Sequence, residues 1–116
     1  MARLEELAHR LRRFAAARDW EQFHTSKNLA MALAGEVGEL LAELQWLTPE
    51  QASRVMDEPE SAERVRSELA DVMIYLTRLA DVLGVDLIDA AHAKLDESED
   101  RYPAEIYRGS TRKAPH

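Results

Sequence analysis

Gly35-Glu36-Val37-Gly38-Glu39-Leu40-Leu41-Ala42-Glu43-Leu44 and, further on, Glu68-Leu69-Ala70-Asp71-Val72 decide how this chain is read. Each stretch places two carboxylates one helical turn apart, and Glu68 follows Glu36 by 32 residues. At 100° per residue, Glu68 shares a helical stripe with Val65, Val72, Tyr75, Leu79 and Leu83. Glu36, Glu39 and Glu43 lie among Leu29, Leu33, Leu40 and Leu47 in the same way. A carboxylate that faces a core is costly unless something positive offsets it. Four of them, Glu36, Glu39, Glu68 and Asp71, point to bound divalent cations. Carboxylate pairs from two facing helices suit Mg²⁺, which prefers oxygen ligands and keeps several waters. Glu43 continues the stripe, either as a further ligand or as an ordinary edge glutamate.

Outward from these motifs the chain reads as helical throughout. Leu4, Leu7, Leu11 and Phe14 recur at three- and four-residue spacing, which predicts a first helix of about four turns. Arg18-Asp19-Trp20-Glu21-Gln22-Phe23-His24 breaks that period as an ordered, aromatic connection. A second helix is expected from Ser26, taken as its N-cap, to Leu47. Thr48-Pro49-Glu50-Gln51 is a capping box with proline in the first helical position, so a short helix restarts there. A long helix follows Asp57-Glu58-Pro59, from Glu60 to Leu83, and Gly84 stops it. Asp86 and Asp89 open a last helix that reaches Asp100 before Pro103. Gly35 and Gly38 sit inside a helix, where they are expected to permit close approach of another helix or a ligand. No β pattern is present. The expected architecture is an all-α, four-helix bundle over residues 1–103, followed by a basic, mobile tail over 104–116.

Composition narrows the function. With 116 residues the chain is one domain with a modest core, and 15 basic against 22 acidic residues argue against a broad nucleic-acid surface. The absence of cysteine excludes disulfides and thiolate metal sites, and fits the cytoplasm. Residues 1–14 carry charges throughout, so no signal peptide is expected, and no apolar run is long enough for a membrane. No Gly-rich phosphate loop exists, so phosphate would be held by metal and basic side chains. A di-iron bundle would need Glu-x-x-His motifs beside further glutamates. Glu21 to His24 has that spacing, but it lies in the connection, and neither acidic pair has its histidine.

At this point the residues resemble a known family. Arg18-Asp19-Trp20-Glu21-Gln22-Phe23-His24, Gly35 to Leu40, Gln45-Trp46, Glu68 to Val72 with Tyr75, and Lys94 through Arg101-Tyr102-Pro103 are similar, in order, to one group of proteins. These are the all-α nucleotide pyrophosphohydrolases of the MazG-like superfamily, in particular the dCTP pyrophosphatase branch. The usual metal motif there has two adjacent glutamates, and Gly35 stands in place of the first, as is common in that branch.

The resemblance implies Mg²⁺-dependent hydrolysis of a dNTP, dCTP or a modified pyrimidine, to the monophosphate and pyrophosphate, as nucleotide-pool housekeeping. Glu36, Glu39, Glu68 and Asp71 would bind Mg²⁺, with Mn²⁺ as a substitute, and an activated water would attack the α-phosphorus. Trp20 and Trp46 would wall a base pocket, or be ordinary core tryptophans. His24 would contact base or phosphate, Tyr75 would donate its hydroxyl to a phosphate, and Lys94 and Arg101 would clamp phosphate. Relatives often carry a polar residue near the position of Leu11 and an asparagine at that of Ser98, so the contacts that read the base differ here. A homo-oligomer, dimer or tetramer, is implied, and no nucleic-acid polymer or membrane partner. The remaining alternatives are a phosphoribosyl-ATP-type pyrophosphohydrolase and a non-catalytic helical interaction module.

Overall fold

A computed structural model describes residues 3–115, and every described element is helical. The chain divides into two units, one up to Gly84 and one from Val85 onward. The first contains α1 (Arg3–Ala17), α2 (Ser26–Leu44), the short α3 (Pro49–Ser53) and the long α4 (Pro59–Leu83). A single 3-10 turn, Glu21–Phe23, separates α1 from α2. The second unit contains α5 (Leu87–Arg101) and the one-turn α6 (Ala104–Tyr107). Four long helices are therefore present with two short ones, six in all among the described residues rather than four. No described helix is long and apolar enough to cross a membrane.

Local chemistry accounts for the boundaries. The capping box forms as the sequence predicts: Gln51 N–H donates to Thr48 Oγ1 and Thr48 N–H to Gln51 Oε1, with Pro49 next to the cap. Gly84 ends α4 in the left-handed region at φ 71°, where a β-carbon would be strained. Asp86 caps α5 by accepting from Asp89 N–H. The start of α2 differs from expectation. Thr25, not Ser26, is the N-cap, because its hydroxyl lies three residues before Asn28 and accepts that N–H. α2 also stops at Leu44 rather than Leu47, and turn residues carry the chain to Thr48.

In the first unit α4 is the central element, with α2 and α1 packed against it. Leu29, only 2% exposed, is its one large and fully buried side chain among the described residues; Ala15, Ala62, Val65 and Ala80 complete the buried apolar set. Burying a leucine contributes about 2 kcal/mol. Several other apolar side chains stay exposed, among them Val37 and Leu41 one turn apart on α2, and Leu69 and Met73 one turn apart on α4. Gly35 and Gly38 do not serve a close approach within this chain, for a β-carbon at either would meet nothing within 4 Å. Leu47 and Leu83, read as core positions, are exposed, Leu47 because it lies in the turn beyond α2 and Leu83 because it is the last residue of α4.

In the second unit the basic segment is tied back. Ala114 is buried, its N–H donates to Tyr102 Oη at 3.2 Å, and its carbonyl accepts from Arg101 at 3.5 Å. Tyr107 packs edge-on against Tyr102, and the Arg112 guanidinium lies over the Tyr107 ring.

Candidate functional site

The two acidic motifs meet because α2 and α4 face each other. Glu36 from α2 and Glu68 and Asp71 from α4 are half-buried, and each offers a carboxylate oxygen within 4.8 Å of the others'. Burial, then the charges of Asp71 and Glu39, raises the Glu36 pKa above its ordinary value. Burial also raises Glu68, followed by repulsion from Asp71, Glu39, Glu36 and Glu43. Glu68 Oε2 is buried with no hydrogen-bond partner. A set of hard oxygen donors with one orphaned oxygen fits a divalent cation such as Mg²⁺. Three carboxylates are gathered rather than four. Glu39, one turn beyond Glu36 on α2, is exposed and adds its charge to that of the cluster. Glu43 is not part of the group: its carboxylate pairs with Arg64 at 3.1 Å.

A second feature adjoins this cluster and begins at the end of α1. Trp20 N–H donates to Ala15 O at 2.9 Å and Asp19 N–H to Ala16 O at 3.1 Å, with Asp19 left-handed at φ 54°. This is a Schellman cap with aspartate in the usual glycine position, a role aspartate tolerates better than most residues. Its accompanying apolar contact is Trp20 edge-on against Phe14, centroids 5.6 Å apart. Gln22 Nε2 donates to Asp19 O and Oδ2 and holds the turn. The turn thus sets Trp20 and His24 over α4.

Below them opens a cavity of about 460 Å³, lined by Leu7, Arg10, Leu11 and Phe14 of α1, Trp20, His24, and Asp71, Ile74, Tyr75 and Arg78 of α4. That volume falls in the range of small-molecule sites, roughly 300–1,000 Å³. Asp71 belongs to both features, so the cavity wall and the acidic cluster share a carboxylate. Leu11 lines the cavity and gives it an apolar wall from α1. His24 is held below its ordinary pKa chiefly by burial and then by the Arg78 charge, with Glu21 opposing.

A sequence profile of the MazG-like family matches residues 32–114, which include both acidic motifs. The chain belongs to the MazG-like family.

Individual relatives agree with the profile. Human dCTP pyrophosphatase 1 is 44% identical over 110 residues, 95% of this chain and 65% of that protein. The rat protein of the same name is 43% identical over 107 residues, 92% of this chain and 63% of its own length. The chain thus spans just under two thirds of these curated relatives. A solved pyrophosphatase from Archaeoglobus fulgidus DSM 4304 has a TM-score of 0.81 at 38% identity, covering 89% of this chain and 94% of that one.

Within this MazG-like chain the other residues singled out by sequence fall in different places. Trp46 stands in the turn after α2 and is 85% exposed, which removes the reading of it as a core tryptophan. Lys94 is exposed on α5 and lies 3.5 Å from Glu97, whereas Arg101, at the end of α5, is half-buried with Nε unpaired. The residue that sequence reading missed is Arg78. It is buried at 8% exposure, donates from Nε to His24 Nδ1 at 3.1 Å and pairs with Asp81 at 3.3 Å. Its one local signal is the Arg78–Asp81 spacing, which is that of an ordinary surface pair.

Proposed function

We propose that this protein is an Mg²⁺-dependent nucleoside triphosphate pyrophosphohydrolase that converts a dNTP, dCTP or a modified pyrimidine dNTP, to the dNMP and pyrophosphate. The observation that carries this reading is the shared Asp71, which joins an unbalanced carboxylate cluster to an aromatic-walled cavity. The names of the curated relatives add the choice of dCTP.

In this reading Glu36, Glu68 and Asp71 would hold the ion, with Glu39 as the fourth carboxylate of the set. Mg²⁺, or Mn²⁺ in its place, supplies neutralisation of phosphate charge and acidifies water when bound. The cluster has a second task, for its negative charge keeps phosphate out until the cation is present. Trp20 offers a face for stacking on the base, His24 a polar ring edge and Tyr75 a hydroxyl for sugar or phosphate. Lys94 and Arg101 are assigned to phosphate on the family resemblance. Residues 1–103 form the catalytic domain, with 104–116 as an appended basic segment.

The working form is a homo-oligomer, dimer or tetramer, acting in the cytoplasm on the nucleotide pool. Exposed Val37, Leu41, Leu69 and Met73 support it, as do two helical glycines that nothing crowds within the chain. Trp46, with its indole free of its own chain, fits an aromatic wall completed in such an assembly.

Pyrophosphate release with Mg²⁺ across dNTPs, NTPs and 5-substituted dCTPs, with Glu39→Gln and Asp71→Asn alongside, tests the proposal. Metal-dependent release that both substitutions abolish is expected, with pyrimidine deoxynucleotides ranked first. No release from any nucleotide by folded, metal-loaded protein would overturn it.

A further inference from the structure

We propose that Arg78 is a positioning residue that fixes the tautomer of His24 and so decides which kind of nucleotide atom that ring can bind; the inference rests on the cavity's being the nucleotide pocket. A guanidinium Nε carries its proton throughout the accessible pH range and cannot accept. Its contact with His24 Nδ1 at 3.1 Å therefore makes Nδ1 the acceptor. The single proton of the neutral ring then sits on Nε2. Nδ1 being taken, Nε2 is the ring's one remaining polar atom for a ligand in the cavity that His24 and Arg78 line together. His24 is thus a hydrogen-bond donor. It accommodates an acceptor of the nucleotide, a base carbonyl or imine nitrogen or a phosphate oxygen, and disfavours an amino group at the same place.

The arrangement is built from three elements distant in sequence. Arg78 Nη1 lies 3.3 Å from Asp81 Oδ2, and the same oxygen accepts from Arg12 Nε of α1 at 2.8 Å. Asp81 is held between two arginines, and this holds the Arg78 guanidinium against the imidazole. A buried cation in a cavity wall is a costly way to fill space, since apolar residues of similar volume serve stability as well or better. Its position against the one histidine of the cavity gives it a task that an apolar residue would not perform.

The test reads the ring nitrogens of uniformly ¹⁵N-labelled protein by long-range ¹H–¹⁵N correlation at pH 7, with His24 assigned from a His24→Ala sample. The wild type should show a single Nε2–H tautomer, and Arg78→Met should show shifts averaged between the two tautomers. Titration with dCMP, which is not a triphosphate and does not turn over, should give a roughly 5–10-fold weaker Kd in Arg78→Met. His24→Ala should lose about as much, and the double variant no more than either alone. Arg78→Lys, which keeps a charged donor, should recover part of the affinity. Averaged tautomers in the wild type would overturn the inference without any variant. So would additive losses in the double variant, or unchanged dCMP affinity in Arg78→Met. None of these readouts depends on turnover, so a failure of the hydrolysis assay remains distinct from a failure of this inference.

Discussion

Two groups of charges on α4, about two to three and a half turns apart, are handled in opposite ways. At Glu68 and Asp71, like charges gather with Glu36, and one carboxylate oxygen is left without a partner. At Arg78 and Asp81, charges alternate with Arg12, the His24 ring accepts from Arg78, and each of these side chains finds its complement. The second arrangement is finished by the chain itself, which is what a scaffold requires. The first is finished only by something positive from outside, which is what a binding site requires. Local imbalance of charge, more than acidity, separates the two.

The largest expected effect comes from breaking the unbalanced group. Asp71→Asn or Glu68→Gln should lower kcat for pyrophosphate release by about 10²–10³-fold. The same substitutions should raise the melting temperature of the metal-free protein, because each removes one member of a repelling set. Loss of activity together with a lower metal-free melting temperature would mean that the carboxylates are internally balanced after all.

The scaffold group should respond unequally to the loss of either partner. Asp81→Ala leaves the buried Arg78 cation uncompensated and should cost about 3 kcal/mol in chemical denaturation. Arg78→Met leaves Asp81 paired with Arg12 and should cost about 2 kcal/mol, the loss of its two hydrogen-bonded contacts to His24 and Asp81. Equal costs would show that the pairing is cosmetic.

Acid sharpens the contrast. Raised carboxylates hold protons more tightly folded than unfolded, so their cost to the metal-free fold is absent at low pH and grows as pH rises through the folded values. His24, held low, works the other way and loses stability as pH falls through its ordinary range. The difference in melting temperature between Glu68→Gln and wild type isolates the first effect. It should be clear at pH 7.5 and shrink as pH falls into the ordinary carboxylate range; a difference that stays constant through that range would argue against repulsion as its source. The smallest effect is at the caps, where Thr25→Ala should cost about 1 kcal/mol and Ser26→Ala almost nothing, measured by thermal unfolding.

What sequence made legible follows the range of the interaction. Thr48 with Gln51, Gly84, and Asp86 with Asp89 act over a few residues, and each was readable as a cap. The Glu36 and Glu68 motifs were readable because a charged residue on an apolar stripe is conspicuous in one helix alone. Asp19 was missed because its left-handed cap normally takes glycine, and the aromatic contact from Trp20 to Phe14 that stabilises it has no motif. The Arg78–His24 and Arg12–Asp81 contacts span 54 and 69 residues, and nothing local distinguishes those arginines from surface ones. The exposure of Glu39 was equally invisible. A turn of helix separates it from Glu36 on the same face, and only the packing of α2 on α4 decides how deeply each is covered.

The measurement that bears most directly on the unbalanced cluster is a Mg²⁺ titration of metal-free protein at pH 7.5, followed by thermal unfolding, for wild type and Glu68→Gln. The wild-type melting temperature should rise with Mg²⁺ by mass action on the folded state, while Glu68→Gln starts higher and responds little. A wild type indifferent to Mg²⁺, or a variant that responds as strongly, would contradict the assignment of Glu36, Glu68 and Asp71 to a cation.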